Sequence, residues 1–172
     1  MAGDKLLLID IEASSFNGFP IEIGFADVDL TAETIDVSSR LIAPPANWVE
    51  SLPWSYESEK IHGLSLDYIQ ENGDAVEEVA VWASETIGSR DTWTDGINVD
   101  SRWLNMLLEY APKRPTGRLR AFFGKYALPE IVMDAINEDV RELGLRQHRA
   151  GDDTHNLALL ALAHHRLGTE FK

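Results

Sequence analysis

The pattern of apolar and polar positions begins with LLLIDIE, residues 6–12, an apolar run that meets Asp10 and Glu12 with Ile11 between them. So much Leu and Ile predicts a buried strand over residues 5–11. The two acids stand at i and i+2, so on a strand they share one face, ~7 Å apart along the chain. An unpaired carboxylate is expensive to bury. Either the strand ends at Ile9 and the acids reach solvent, or they meet a counter-charge, for which a divalent metal is the obvious source. These residues alone leave both readings open.

Residues 14–20, SSFNGFP, predict a turn centred on Asn17-Gly18. Residues 21–29 alternate well enough for a second strand, with Glu22 its awkward position. After a turn at Thr31-Ala32, the β-branched stretch 34–42 predicts a third strand, and the three together an antiparallel meander. Residues 43–54 hold three prolines and two tryptophans and read as a loop. Short helices are expected at 55–60 and 65–69, on either side of Ile61-His62-Gly63, with a turn at 72–74. Val76, Val79, Ala80, Ala83 and Ile87 mark one face of a helix over 75–88, stopped by Gly88. A short strand at 91–94 and a loop at 95–98 precede a helix capped by Asp100 and Ser101, with Trp103, Leu104, Leu107 and Leu108 facing inward. A surface loop at 111–118 leads to a strand at 120–123 and a helix at 129–143. Residues 153–167 form the clearest helix, with Leu157, Leu160, Ala161 and His164 on one face. No repeat or linker interrupts the chain, so a single α/β domain over 1–172 is expected.

Composition narrows the chemistry. The chain has 172 residues, 44% of them apolar, enough for one domain with a full core. No apolar stretch is long enough to span a membrane and the N-terminus does not read as a signal peptide, so a cytoplasmic protein is expected. Cysteine is absent, which excludes thiolate chemistry and a disulfide framework. The net charge of −14 leaves no broad cationic surface for a long duplex. A metal-bridged contact with a few nucleotides, or a protein or small-molecule partner, fits that charge.

Further polar positions carry candidate chemistry. Asp100 serves as a helix cap, a role that does not exclude metal binding. His148 lies just outside the last helix, with Asp153 in its first turn and Asp152 equally placed by sequence alone. His62, before Gly63, competes with His148 as a proton acceptor. No Walker loop, GxGxxG or HExxH occurs, and Ser14 and Ser15 lack a nucleophile-elbow context.

Taken in order, these segments resemble the DEDDh group of 3′→5′ exonucleases, which includes RNase T, oligoribonuclease and the proofreading subunit of bacterial DNA polymerase III. Asp10-Ile11-Glu12 resembles the first motif, D-x-E-T. Ile21-Glu22-Ile23-Gly24 resembles the E-I-G of the second strand, and Ile61-His62-Gly63-Leu64-Ser65 the I-H-G-I-T/S element. Ile97-Asn98 followed by Val99-Asp100-Ser101-Arg102-Trp103-Leu104 resembles H-N-x-x-F-D-x-x-F-L. His148-Arg149-Ala150 with Asp153 matches H-R-A-x-x-D, whose spacing selects Asp153 over Asp152. Ala13-Ser14 replaces the usual Thr, Ile97 the usual His and Val99 the usual Phe. These departures bear on substrate contacts more than on metal ligands.

The resemblance implies a ribonuclease H-like α/β fold, a mixed five-stranded sheet with flanking helices. It implies metal ligation by Asp10, Glu12, Asp100 and Asp153, with His148 as general base and two divalent cations, Mg²⁺ or Mn²⁺. The implied activity is a two-metal 3′→5′ exonuclease that releases nucleoside 5′-monophosphates from single-stranded RNA or DNA. Substrate contacts are expected from Ala13, Ser14, Phe16, His62, Asn98 and Arg149, with Arg102 and Arg146 as further phosphate candidates. Several relatives form dimers, so a homodimer is an open expectation. Two alternatives stand beside this reading: an inactive nuclease-like binding domain, and a metal-dependent phosphodiesterase restricted to dinucleotides.

Overall fold

The first strand, β1 (Lys5–Ala13), runs two residues past its expected end and carries both acids within it. Its alternation sorts side chains into two layers. Leu7, Ile9, Ile11 and Ala13 enter one core cluster, while Leu8 enters the other. Asp10 and Glu12 therefore continue the row begun by Leu6 and Leu8. A computed structural model of the chain describes residues 5–122 and 128–168.

β2 (Pro20–Asp29) pairs antiparallel with β1, and β3 (Thr34–Ala43) antiparallel with β2, which is the expected meander. β5 (Thr92–Thr94) pairs parallel with β1, and β6 (Leu119–Ala121) parallel with β5. These five strands form the expected mixed sheet. A sixth, β4 (Asp74–Ala75), extends its β3 edge, giving the order β4-β3-β2-β1-β5-β6. Only two residues long, β4 falls where a turn was expected, because two pairs along the end of β3 leave no periodicity to read.

Three helices, α3 (Leu66–Asn72), α4 (Val76–Ile87) and α5 (Ile97–Leu108), cover the odd-numbered face of β1. The opposite face is covered by α7 (Ala150–Arg166), with α6 (Glu130–Glu142) contributing Ile136. Thus α7 packs on the face from which Asp10 and Glu12 project, and Leu157, Leu160 and Ala161 lie inward as expected. No helix among the described residues is long and apolar enough to cross a membrane.

Three expectations need correction. The stretch 43–54 contains a helix, α1 (Ala46–Ser51), with Trp48 buried and stacked on Phe19 at 5.8 Å between ring centroids. Its prolines bound the helix without entering it: Pro45 is the N-cap and Pro53 follows the C-cap, Leu52. α5 starts at Ile97 with Gly96 as N-cap, so Asp100 and Ser101 lie inside the helix and do not cap it. α7 starts at Ala150, three residues before the expected Asp153. The expected strand at 120–123 is β6, and Phe123 lies outside the described residues. Between α1 and α3, α2 (Tyr56–His62) begins at Ser55, whose hydroxyl accepts the Ser58 N–H; Ser65 does the same for Tyr68 at the start of α3.

Candidate active site

The parallel pairing of β1 with β5 brings the C-terminal ends of both strands to one edge of the sheet, and the N-termini of α5 and α7 arrive there too. An open cleft of about 390 Å³ lies at this edge, with Asp10, Glu12, Asp95, Gln147, His148 and Asp153 among its lining residues. Single ligand atoms of Glu12, His148 and Asp153 fall within 4.8 Å of one another.

Burial and mutual repulsion raise the acids. Asp10 is pushed well above the usual carboxylate range by burial first, then by Asp100, Glu12, Asp153 and Asp95. Glu12 is pushed up to about 7 by burial and then by Asp153 and Glu22. Asp100, 2% exposed, is also pushed up to about 7, chiefly by burial. Asp153 is raised by burial, opposed by the hydrogen bond it accepts from the His148 backbone. Buried carboxylates with little compensating positive charge are the condition that a divalent cation relieves. Their oxygens suit a hard ion such as Mg²⁺ or Mn²⁺.

Local interactions set each acid. The Thr94 hydroxyl, at the end of β5, donates to Asp100 Oδ2 and accepts the Gly96 N–H at 3.0 Å. A Cβ at Gly96 would lie 2.8 Å from Asp100 Oδ2, so a side chain there would push the carboxylate off its position. The two neighbouring aspartates of α7 divide their work. Asp152 accepts the Arg146 N–H at 2.9 Å, and Asp153 accepts the His148 N–H at 2.8 Å. Asp153 thus stands in the cluster with Glu12, while Asp152 closes the loop before the helix. His148 is exposed and takes φ = 61°, a left-handed conformation that few non-glycine residues adopt and that histidine tolerates better than most.

His62 differs from His148 in exposure and in hydrogen bonding. It is 2% exposed, and burial lowers its pKa, which keeps the ring neutral. Its Nδ1 accepts the Leu64 N–H at 3.1 Å, which places the ring proton on Nε2. That nitrogen is buried and unpartnered. His62 is therefore set as a donor, and the competition for the acceptor role favours His148.

The residues expected to touch substrate are spread unevenly. Phe16 is 68% exposed, with the Arg102 guanidinium 5.1 Å from its ring centroid; Arg102 also donates to Asn17 at 3.2 Å. Asn98 is exposed in the first turn of α5. The Ala13 side chain, by contrast, belongs to the core. Ser14 is fully buried, its hydroxyl donating to the Pro53 carbonyl and accepting the Phe19 N–H, both at 3.0 Å. These two side chains are thus used by the fold and do not face the cleft. Arg149 is held by Glu22, with Nε 2.9 Å and Nη2 2.8 Å from its carboxylate.

The roles of two residues in this region escaped the sequence reading. Asp95 lines the cleft and adds to the repulsion on Asp10, Asp100 and Asp153. An acid directly after a strand's C-terminal end was its only signal. Glu22 carries two readings in the sequence, an awkward strand position and the E of an E-I-G-like segment, but neither shows its partner, which lies 127 residues away.

No protein-family model matches the chain, and no curated protein matches it. Solved structures do. The nuclease domain of 3′hExo, a DEDDh family member bound to rAMP, is 21% identical with a TM-score of 0.62, over 98% of this chain and 95% of that one. Exonuclease X in complex with 5′-overhanging duplex DNA is 20% identical with a TM-score of 0.65, over 96% and 95%. The zinc-bound E. coli ExoI–ssDNA complex is 11% identical with a TM-score of 0.68, over 95% of this chain and 41% of that one. The sheet order and helix layers described above, together with these similarities, establish that the chain has the ribonuclease H-like fold that these exonucleases share.

Proposed function

We propose that the protein is a metal-dependent 3′→5′ exonuclease acting on the 3′ end of single-stranded RNA or DNA and releasing nucleoside 5′-monophosphates. The observation that carries this reading is the convergence of Glu12, His148 and Asp153 within 4.8 Å, in a cleft that also holds Asp10. The order of motifs in the sequence and the fold shared with nucleic-acid-bound exonucleases support it. The net charge of −14 favours a short contact at a strand end over a long duplex track.

In this reading Asp10, Glu12, Asp100 and Asp153 hold two divalent cations, Mg²⁺ or Mn²⁺, which supply charge neutralisation and Lewis acidity at the scissile phosphate. His148, exposed at the cleft rim, takes the proton of the attacking water. The water oxygen bonds to phosphorus, the P–O3′ bond breaks, and the terminal nucleotide leaves with its 5′-phosphate. Phe16 stacks on the terminal base with Arg102 beside it. The exposed side chain of Asn98 offers a polar contact to the same nucleotide.

The test is degradation of 5′-labelled single-stranded RNA and DNA, a dinucleotide and a 3′-phosphorylated control with Mg²⁺, Mn²⁺ or EDTA. A 3′-end ladder lost in EDTA is expected. No turnover on any substrate would favour a binding domain, and turnover of the dinucleotide alone a restricted phosphodiesterase. His148→Ala is expected to lower kcat by about 10²–10⁴-fold, and His62→Ala to lower it less. The reverse order would displace His148 as base. Thr94→Val retains the side-chain shape but removes the hydroxyl on Asp100. Mn²⁺ affinity, measured calorimetrically, is expected to fall roughly 10–100-fold.

A further inference from the structure

Glu22 is a carboxylate buried to 2% exposure on a central strand, where it faces Glu12 across the β1–β2 ladder. Such a group persists only with strong partners. It has three hydrogen bonds. Arg149 gives two, from Nε to Oε2 at 2.9 Å and from Nη2 to Oε1 at 2.8 Å, and the Ala150 N–H gives a third to Oε2 at 3.1 Å. Arg149 is the N-cap of α7, and Ala150 is its first residue. The carboxylate thus satisfies a free N–H at the helix start, where negative charge is favoured.

Two residues along the same strand face, Gly24 completes the grip by contact. A Cβ on Gly24 would lie 2.3 Å from the Ala150 carbonyl oxygen, so strand and helix backbones touch there. Charge at Glu22 and close approach at Gly24 therefore fix the first turn of α7 on β2. The adjacent residue is His148, held at φ = 61° with its N–H on Asp153 Oδ2 at 2.8 Å. Few non-glycine residues adopt this left-handed conformation, and histidine is among those that tolerate it, so its contacts decide whether it is held there. Its anchors are Asp153 on one side and, through Arg149 and Ala150, Glu22 on the other.

We propose that Glu22 is a positioning residue which, acting through Arg149, holds His148 and Asp153 in the arrangement that brings them to Glu12. Arg149 then belongs to the support of the site and not to the substrate contacts expected of it. The proposal rests on the nuclease reading for its consequence in turnover, but its geometric content stands without that reading.

A double-mutant cycle tests it, with Glu22→Gln, Arg149→Gln and the two combined. The double variant leaves no unpaired buried charge, so it still reports the loss of the clamp against the wild-type protein if a single variant unfolds. Circular dichroism and urea unfolding establish that the variants compared are folded. Each single variant is expected to lower kcat and Mn²⁺ affinity roughly 10–100-fold, with KM for a labelled oligonucleotide within about threefold. The double variant is expected to be no worse than either single variant, because both break the same clamp. Protection of the His148 amide against hydrogen exchange should fall alongside, on the order of tenfold or more. Unchanged kcat in folded Glu22→Gln, or an Arg149 effect confined to KM and additive with that of Glu22, overturns the proposal. Absence of turnover in the wild-type protein would overturn the nuclease reading instead. The clamp is then decided by the His148 amide: lost protection in Glu22→Gln supports it, and full protection refutes it.

Discussion

Asp10→Asn is expected to abolish 3′-end degradation while making the metal-free protein more stable. Both outcomes follow from one feature. Asp10 lies on the α7-facing row of β1, where burial and four neighbouring carboxylates hold its pKa well above the usual range. Burial and these neighbours disfavour the ionised form, so wherever Asp10 carries its charge a neutral isostere relieves the repulsion without changing the shape. The same charge is what a divalent cation would meet in the cleft. Its loss removes several kcal/mol of charge stabilisation, a fall of roughly 10³-fold or more in kcat. Labelled-oligonucleotide turnover in Mn²⁺ and a melting curve in EDTA read the two effects on one preparation. Retained activity would exclude Asp10 as a ligand. An unchanged or lower melting temperature would mean that its carboxylate is already compensated in the metal-free protein. The pairing of lost function with gained stability is characteristic of a strained site.

The second large effect is a pH dependence of stability that metal reverses. Glu12 is raised from 4.5 to about 7 and Asp100 from 3.8 to about 7. Between the ordinary carboxylate range and pH 7, the folded protein therefore binds more protons at these positions than the unfolded chain. Stability then falls as pH rises through that window. For Glu12 alone the loss is about 3 kcal/mol, which in a domain of this size is ~10 °C in Tm. Asp29, Glu33 and Asp91 shift the opposite way, held down by hydrogen bonds from backbone N–H groups or arginine. Their titration lies below the ordinary carboxylate range, so it does not offset the trend between pH 5 and 7.5. In EDTA, Tm is expected to decline across that interval. In millimolar Mn²⁺ it should instead rise, because cations compete with protons for the same oxygens and bind only the folded site. Scanning calorimetry at several pH values, with and without Mn²⁺, checks both signs. A flat EDTA profile would mean that these acids are not held together as described.

The fold was largely legible because its elements carry strong local periodicity. The meander, α4 and the α7 face all follow from spacing that any nearby apolar layer would reward. The elements that were missed lack such signals. α1 is six residues long and hidden among prolines that in fact bound it. β4 is two residues that gain meaning only from the end of β3. The start of α7 was set three residues late because Arg149, Ala150 and Gly151 have no helical pattern of their own. What holds them is Glu22 and Gly24 on another strand.

The candidate site shows the same division. LLLIDIE by itself determined that two carboxylates share a strand face, since side-chain alternation is a local property of the backbone. It left open whether that face meets solvent or a partner. Only the tertiary structure decided this: α7 lies over the same row, parallel β5 delivers Asp95 to the cleft, and α5 brings Asp100 close enough to raise Asp10. His62 competes with His148 as a proton acceptor in sequence, and burial with one hydrogen bond from Leu64 sets His62 apart as a donor. Ala13 and Ser14 stood beside the acids in sequence, yet one faces the core and the other is spent on Pro53 and Phe19. Glu22 is an awkward strand position and part of an E-I-G-like segment in sequence, and its partners Arg149 and Ala150 come from the far end of the chain. Periodicity is local and survives in the sequence, whereas desolvation, charge neutralisation and hydrogen-bond pairing depend on which distant residues the fold brings within a few ångströms.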